Sequence, residues 1–376
     1  MIPVFRPSMD EEEIEAVAAT LRSGWIGLGP KTKEFEEKIA GYLGVKYAVG
    51  VNSCTEALHL ALVALGVKSG EIITTPITFV STAHAVLYVN AKPVFADVHE
   101  DTINIDPADI KRKITKRTKA IIPVHYGGHA CEMDEILQLA SEHDLSVIED
   151  AAHGMGAEYK GKKLGAIGDV GCFSFHAVKN LATGDGGVIT TNDQRIYEQL
   201  LKLRWLGISQ STYKRSVKGY SWYYDVECLG YKSHMNDITA SIGLVQLSKL
   251  DKANSRRREI FKCYNEQFKK LDWIETPVEK EYTMSSLHNY VIKVNENDRN
   301  ELIAYLAKKG IAAGVHYMPL YLHSFYKKMK IEGNCPVADR VWKKLVTLPL
   351  YPDMTSDDIE LVIKTVKSYR NERAHN

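Results

Sequence analysis

The stretch Phe173-Ser174-Phe175-His176-Ala177-Val178-Lys179-Asn180, followed closely by Thr183-Gly184-Asp185-Gly186-Gly187, presents one lysine on a tight, glycine-bounded turn near a serine. Such a lysine can bond covalently to the aldehyde of pyridoxal phosphate (PLP), and the nearby Ser174 hydroxyl can hold the phosphate. A lysine in a loop is by itself more often a solvated surface charge. The residues upstream make a cofactor-binding role the better interpretation of Lys179.

The segment Leu145-Ser146-Val147-Ile148-Glu149 reads as a short apolar strand that delivers Asp150 and is followed by Ala151-Ala152-His153. Ligands of open α/β sheets bind beyond the carboxyl ends of the strands, so Asp150 stands where chemistry is usually done. A carboxylate there can pair with the pyridine nitrogen of PLP and keep it protonated, which makes the ring an electron sink. The structural alternative is that Asp150 only caps the segment after it. Together with Lys179, the pattern favours the cofactor.

The chain alternates short β-rich runs with amphipathic helical stretches from Tyr47 to Glu149. This alternation predicts an α/β fold with a large, mostly parallel sheet covered on both faces. After Lys179 the pattern changes to a long helical region from Asn236 and then to a separate group of strands and helices. We therefore expect a large domain at residues 1–250 and a smaller C-terminal α+β domain at residues 251–376.

Composition is that of a soluble enzyme, and we expect a cytoplasmic one. The 376 residues include 48 basic and 47 acidic side chains, so the formal charge of +1 gives no electrostatic reason to expect nucleic acid or a membrane surface as a partner. The N-terminus runs into Asp10-Glu11-Glu12-Glu13, unlike a signal peptide, and no apolar run is long enough to span a bilayer. The six cysteines are scattered, which suits free thiols in a reducing compartment.

Three further features fit a PLP site, and each also has an ordinary structural explanation. Ser53, Cys54 and Thr55 stand between a predicted strand and a predicted helix, where hydroxyls and free N–H groups can bind phosphate or simply cap the helix. Phe79 follows a strand end and could stack on the pyridine ring, although a lone aromatic there is more often part of the core. His153 could hydrogen-bond the phenolic oxygen of the cofactor or only pack.

Two competing motifs are weaker. His125-Tyr126-Gly127-Gly128-His129 with Cys131 contains zinc-ligand types, but the paired glycines disfavour a rigid ligand face and no second cluster lies near in sequence, so we expect no metal. The glycines after Lys179 are followed by a strand, whereas a dinucleotide-binding loop needs a helix there. Those glycines more simply allow a tight turn.

The chain resembles the DegT/DnrJ/EryC1/StrS family of sugar aminotransferases, which are fold type I PLP enzymes related in fold to aspartate aminotransferase. The resemblance runs nearly end to end, and so extended a set of motifs is highly specific. It rests on Ser23-Gly24-Trp25-Ile26 with Gly29-Pro30, Asn52-Ser53-Cys54-Thr55-Glu56-Ala57-Leu58, Ile148-Glu149-Asp150-Ala151-Ala152-His153, Phe173-Ser174-Phe175-His176 with Lys179, Gly230-Tyr231-Lys232, His316-Tyr317 with Pro319, and Leu348-Pro349-Leu350-Tyr351-Pro352.

The resemblance implies a role for each candidate residue. Lys179 would bind the cofactor covalently, and Asp150 would pair with the pyridine nitrogen. The ring would lie against Phe79, with His153 near the phenolic oxygen. The phosphate would be surrounded by Ser53, Cys54, Thr55 and Ser174. Substrate contacts are implied for Trp25, Ile26, His288, His316 and Tyr317.

The resemblance also implies a homodimer with shared active sites, in which the loop around Gly230 reaches into the partner's site. Many family members carry asparagine two residues after this glycine, where it meets the cofactor phosphate, and arginine two residues later. This chain has Lys232 and His234 instead. The lysine resembles members that aminate C4 of a nucleotide-linked sugar, such as the UDP-4-amino-4-deoxyarabinose and spore-coat polysaccharide enzymes. Asp185 stands where glutamate is commoner.

The expected function is transfer of an amino group from glutamate to a nucleotide-linked keto sugar, a 4-keto-6-deoxy hexose aminated at C4. Two enzymatic alternatives are a cyclitol aminotransferase and a 3-keto sugar aminotransferase. A third alternative is a PLP-binding regulatory protein without turnover. Related dehydratases have histidine in place of the lysine, so Lys179 disfavours them.

Overall fold

The computed structural model describes residues 1–208 and 222–373, except for the side chains of Asn371 and Arg373. Its strands are β1 (Tyr47–Val51), β2 (Glu71–Thr74), β3 (Lys92–Phe95), β4 (Thr118–Ile122), β5 (Ser146–Asp150), β6 (Glu158–Tyr159), β7 (Lys162–Lys163), β8 (Val170–Ser174), β9 (Gly187–Thr191), β10 (Thr283–Met284), β11 (Tyr290–Lys293) and β12 (Leu345–Leu348). Its helices are α1 (Glu11–Arg22), α2 (Pro30–Leu43), α3 (Cys54–Ala64), α4 (Ser81–Tyr88), α5 (Pro107–Lys113), α6 (Met133–His143), α7 (Gln194–Leu203), α8 (Asp237–Phe268), α9 (Glu296–Lys308), α10 (Ser324–Lys328), α11 (Pro336–Val341) and α12 (Ser356–Arg373).

Seven strands form one large sheet in the order β1-β9-β8-β5-β4-β2-β3. Strands β3, β2, β4, β5 and β8 run parallel to one another. Strand β9 is antiparallel to both of its neighbours, β1 and β8. The predicted α/β fold with a mostly parallel sheet is therefore confirmed, with β9 as the reversed strand.

The strands are buried on both faces because their side chains alternate between two apolar layers. In β5, Ile148 packs in the core that includes α3, while Val147 packs in the core that includes α6. Strands covered by helices on both faces are typically rich in apolar residues, as residues 120–122 of β4 and 147–148 of β5 are. The last two residues of β5 are Glu149 and Asp150, so two buried carboxylates end this strand in the middle of the sheet.

A separate apolar cluster lies in the C-terminal part of the chain, where β11 and β12 pair and pack with α9 and α12. The long helix α8 contributes Ala240 and Leu250 to a core of the large sheet, and Tyr264 and Phe268 to the C-terminal cluster. One continuous helix therefore crosses residue 250, and the division at 250/251 stays a prediction. No helix in residues 1–208 and 222–373 is long and apolar enough to cross a membrane.

Candidate active site

A cavity of about 390 Å³ lies beyond the carboxyl ends of the central strands. Asp150 ends β5 and Ser174 ends β8, and these strands are parallel neighbours in the sheet, so both side chains are delivered to one edge. The N-terminus of α3 and the segment before α4 form another part of the wall. Of the predicted site residues, those in the wall are Ser53, Cys54, Thr55, Phe79, Asp150, His153, Ser174, Lys179, His288, His316 and Tyr317.

Lys179 is held on a short turn between β8 and β9. Its backbone N–H donates to the carbonyl of His176 at 2.9 Å, and the Phe175 N–H donates to the carbonyl of Gly186 at 2.9 Å. Gly184 has φ +89° and Gly186 has φ +151°, conformations that L side chains rarely adopt. The glycines therefore close the loop behind Lys179, in agreement with the sequence interpretation.

Asp150 is a buried carboxylate with hydrogen bonds but no lysine or arginine partner in the described parts of the chain. One of its oxygens accepts from Thr82 Oγ1 at 2.8 Å, and the other accepts from the Ala152 N–H at 3.2 Å. Burial raises the pKa of Asp150 above its ordinary value. The bond to Ala152 is the local cap that the alternative interpretation requires. The cap alone does not explain why the carboxylate is buried without a salt bridge to a described lysine or arginine. Such a carboxylate is suited to pair with a protonated pyridine nitrogen.

Burial also shifts the pKa of Lys179. Burial lowers the pKa of Lys179 to about 8, although Cys54 and Asp150 act in the opposite direction. An amine of this pKa is partly neutral at physiological pH and can therefore act as a nucleophile and a base. Lys179 is also the one lysine or arginine among the described residues that line this cavity.

The phosphate candidates surround the start of α3. Ser53 caps the helix, because its Oγ accepts from the Glu56 N–H at 3.1 Å, and Thr55 Oγ1 lies 2.7 Å from Ser81 Oγ. A Cβ at Gly187 would lie 2.6 Å from the carbonyl carbon of Ser53, so only glycine allows β9 this close to the helix start. Hydroxyls and a helix N-terminus together suit a phosphate dianion.

The wall also offers a place for a flat ring. Phe79 is 59% exposed although it belongs to a cavity wall, and its ring centroid lies 6.3 Å from that of Tyr317. His153 accepts from the Gly127 N–H through Nδ1 at 3.3 Å, which places its own proton on Nε2. Burial lowers the pKa of His153 well below its ordinary value, so the ring is neutral. A cofactor ring would cover Phe79 and could accept a hydrogen bond from His153 Nε2.

The substrate candidates divide into two groups. His288, His316 and Tyr317 line the cavity, where His288 lies against His153 with ring centroids 4.3 Å apart. Trp25 and Ile26 are not part of its wall: Trp25 Nε1 donates to the Leu28 carbonyl at 3.2 Å, and Ile26 is exposed.

Lys232 is also absent from the wall of its own chain's cavity. Its Nζ lies 3.4 Å from the ring centroid of Trp205 in the same chain. A contribution of Lys232 to a partner's site stays a prediction.

Among the cavity residues that were not predicted as site residues, Phe5 and Thr82 contact predicted ones. Phe5 stacks on His288 with ring centroids 5.0 Å apart and an interplanar angle of 2°, and the N-terminal segment gives no sequence signal for this placement. Thr82 donates to Asp150 from the first turn of α4, a contact between residues 68 positions apart that has no local sequence signal. Residues 1–208 and 222–373 contain no cluster of three or more His, Cys, Asp or Glu arranged to hold a metal ion.

The histidines of the zinc-like motif, His125 and His129, form hydrogen bonds within the protein. His125 Nε2 donates to the Glu149 carboxylate at 3.0 Å, while its Nδ1 accepts from the Cys131 N–H at 3.1 Å. His129 Nε2 accepts from the Lys280 N–H at 3.1 Å. These rings therefore hold the structure behind the active site together.

The fold and this site define a PLP-dependent enzyme of fold type I. The DegT/DnrJ/EryC1/StrS aminotransferase family model matches residues 7–367, and the chain belongs to that family. Aminotransferases of this family depend on PLP, and the residues of the cavity fit that cofactor. The predicted family, fold and cofactor are thereby confirmed.

Individual relatives match over nearly their whole length. The uncharacterised protein MJ1066 of Methanocaldococcus jannaschii is 48% identical, covering 99% of this chain and 98% of that protein. Spore coat polysaccharide biosynthesis protein SpsC of Bacillus subtilis is 43% identical, covering 97% and 96%. Among solved structures, the PMP form of Spr1654 from Streptococcus pneumoniae, assigned as a sugar aminotransferase, has a TM-score of 0.93 at 34% identity and covers 99% of this chain and 100% of its own.

Proposed function

We propose that this aminotransferase moves an amino group from glutamate to C4 of a nucleotide-linked 4-keto-6-deoxy hexose. The observation that carries the aminotransferase chemistry is that Lys179 and Asp150 lie in one cavity: an amine of lowered pKa and a buried carboxylate that forms no salt bridge with a described lysine or arginine. The sugar is supported by the matches to SpsC and Spr1654. Polar groups that suit sugar hydroxyls come from the side chains of His288, His316 and Tyr317.

In this reaction Asp150, His153 and Lys179 would each have a different role toward bound PLP. When bound, PLP supplies an aldehyde that can receive an amino group and a ring that withdraws electrons. Asp150 would hold the proton on the ring nitrogen, and His153 Nε2 would donate to the phenolic oxygen. Lys179 Nζ would take a proton from the α-carbon of glutamate as a neutral amine and later return one as an ammonium. A pKa of about 8 leaves both forms of this amine accessible near neutral pH.

The substrate assignment is tested by a panel of ketones offered to the pyridoxamine-loaded enzyme. We expect a nucleotide-linked 4-keto-6-deoxy hexose to be aminated at least about a hundredfold more efficiently than a cyclitol ketone or a 3-keto sugar, because binding of the nucleotide portion can be used at the reacting carbon. The measurement is kcat/KM for each ketone, with the product's amine position assigned by NMR.

Each alternative has its own result in the same panel. A preference for the cyclitol or the 3-keto sugar would replace the proposed substrate. A protein that binds PLP but releases no 2-oxoglutarate from glutamate would instead be a regulatory protein without turnover.

We also propose that the protein is a homodimer with shared sites. Trp222 is 76% exposed and Leu229 is 84% exposed, an unusual display of apolar surface that a second subunit could cover. Trp222 precedes Lys232 by ten positions and Leu229 precedes it by three. The ammonium of Lys232 could then meet the cofactor phosphate or the substrate diphosphate of the partner subunit in a charge-assisted contact.

Lys232→Ala should weaken cofactor retention or raise the KM for the sugar nucleotide roughly tenfold, because the lost contact is charge-assisted and worth about 1.5 kcal/mol. The protein should remain folded, since Lys232 is exposed and its ammonium lies over the Trp205 ring. Cofactor dissociation and steady-state kinetics measure the two effects. Lys202→Ala is a suitable control, because Lys202 is paired with Glu227 outside the cavity.

Mixing the Lys179→Ala and Lys232→Ala subunits then tests the sharing itself. A shared site places both lesions in one of the two sites of the heterodimer and leaves the other intact, so activity should partly return. Verified subunit exchange without any recovery would show that Lys232 serves its own subunit or no site.

A further inference from the structure

A second, smaller chamber of about 30 Å³ shares Lys179 with the main cavity. A cavity needs roughly 10–15 Å³ of such volume to hold one water molecule, so this chamber has room for a small polar group. Four of its lining residues, Gln246, Lys249, Ala253 and Arg257, lie at spacings of three or four on α8 and therefore share one helix face. Asn180 completes the wall beside Lys179.

Arg257 is the feature of this chamber that needs an explanation. Its side chain is buried, with 4% exposure, and its Nε has no hydrogen-bond partner. Its NH1 group makes one long bond, 3.4 Å to Asn254 Oδ1. Within residues 1–208 and 222–373 this guanidinium has no salt bridge, and burial lowers its pKa to about 10. An isolated buried charge is costly unless something pairs with it.

The surroundings of Arg257 do not neutralise it. Lys249 is the other cation on the helix face, and it is occupied by Asp10 at 2.7 Å and Glu13 at 3.0 Å. Asp353 is close enough to raise the pKa of Arg257, but within the described residues it forms no salt bridge with that guanidinium. No carboxylate of the described residues lines the chamber itself. The chamber therefore carries an excess of positive charge.

A hydrogen-bonded chain links Arg257 to the main cavity. Asn254 Oδ1 also accepts from Asn180 Nδ2 at 2.8 Å, and the same Nδ2 donates to the Ser286 carbonyl at 2.7 Å. These two bonds fix the orientation of the Asn180 amide. Its Oδ1 accepts from His288 Nδ1 at 3.0 Å, and His288 lies in the wall of the main cavity.

We propose that the chamber beside Arg257 binds a carboxylate group, and that this carboxylate belongs to the amino donor. Lys179 is the single lysine or arginine among the described residues lining the main cavity, whereas glutamate carries two carboxylates. A guanidinium offers planar, paired donors that match a carboxylate. Because Lys179 lines both spaces, movement of this one side chain joins them. The donor assignment rests on the proposed function, whereas carboxylate binding by itself does not.

The test is calorimetric titration of the PLP-loaded enzyme with glutarate, an unreactive dicarboxylate with the carbon chain of glutamate. Arg257→Met should raise the Kd for glutarate at least about tenfold, because a charge-assisted hydrogen bond is worth roughly 1.5–3 kcal/mol. The KM for glutamate should rise by a similar factor.

Arg256→Met is the matched control, because Arg256 is the neighbouring arginine, pairs with Glu259 at 2.8 Å and lies outside this chamber. Its glutarate affinity should stay within about twofold of the unmodified enzyme. If Arg257→Met does not fold, as judged by circular dichroism, Arg257→Lys replaces it, since lysine keeps the charge and loses the paired donors. That variant should also weaken glutarate binding, by a smaller factor.

Two results would overturn the proposal. Unchanged glutarate affinity after loss of the Arg257 guanidinium would show that the chamber binds no carboxylate. Binding of acetate through Arg257 that glutarate does not displace would remove the donor assignment. Failure of the proposed function would look different, because glutarate would still bind through Arg257 while no ketone of the panel accepted an amino group.

Discussion

Lys179→Ala is expected to lower turnover at least about a thousandfold, which corresponds to roughly 4 kcal/mol of transition-state free energy. The variant loses both the covalent attachment of the cofactor and the amine that moves the proton. It should still bind pyridoxamine phosphate, because that form needs no covalent bond to the protein. Single-turnover assays and cofactor absorbance measure the two properties separately.

The fold of this variant should survive, since alanine removes an amine that burial already disfavours in its charged form. Lys160→Ala is the control for a lysine lost elsewhere, because Lys160 is exposed and pairs with Asp134 at 2.6 Å. Turnover by Lys179→Ala within tenfold of the unmodified enzyme would contradict the role given to Lys179.

Asp150→Asn is expected to lower turnover at least about a hundredfold, on the order of 3 kcal/mol. Asparagine has nearly the same shape but no charge, so it cannot keep the ring nitrogen of the cofactor protonated. Stability should be retained, because burial raises the pKa of Asp150 and thus already disfavours its charged form. The measurement is kcat for the glutamate half-reaction together with the thermal melting temperature.

Thr82→Val separates charge from orientation. It removes the 2.8 Å hydrogen bond to Asp150 and keeps the carboxylate, so its effect should be much smaller than that of Asp150→Asn. Near-normal turnover of Asp150→Asn would mean that this residue serves only as the local cap of Ala152, as its bond to that N–H also allows.

The fold was predictable because its elements are local patterns. The predicted alternation of strands and helices is found, and the expected strand that delivers Asp150 occurs at Ser146–Asp150. The reversed direction of β9 was not predictable, since strand direction depends on the connection through the Lys179 loop. The division at 250/251 stays a prediction, and α8 packs both in a core of the large sheet and in the C-terminal cluster.

The candidate site was predictable where residues follow strand ends, because the sheet gathers such ends at one edge. Lys179, Asp150 and Phe79 therefore meet in one cavity. Contacts between distant segments carry no such local signal. Phe5 reaches His288, and Arg257 joins the chamber beside Lys179, only through packing of the N-terminal segment and α8. Trp25 and Ile26 lie outside the cavity of their own chain.

The central claim is that Lys179 holds the cofactor covalently, and borohydride reduction of the PLP-loaded enzyme tests it most directly. Reduction makes the bond between cofactor and amine permanent, so proteolysis and mass spectrometry can locate it. The account predicts one modified peptide, with the added mass on Lys179. A reduced cofactor found on any other lysine, with Lys179 unmodified, would contradict it.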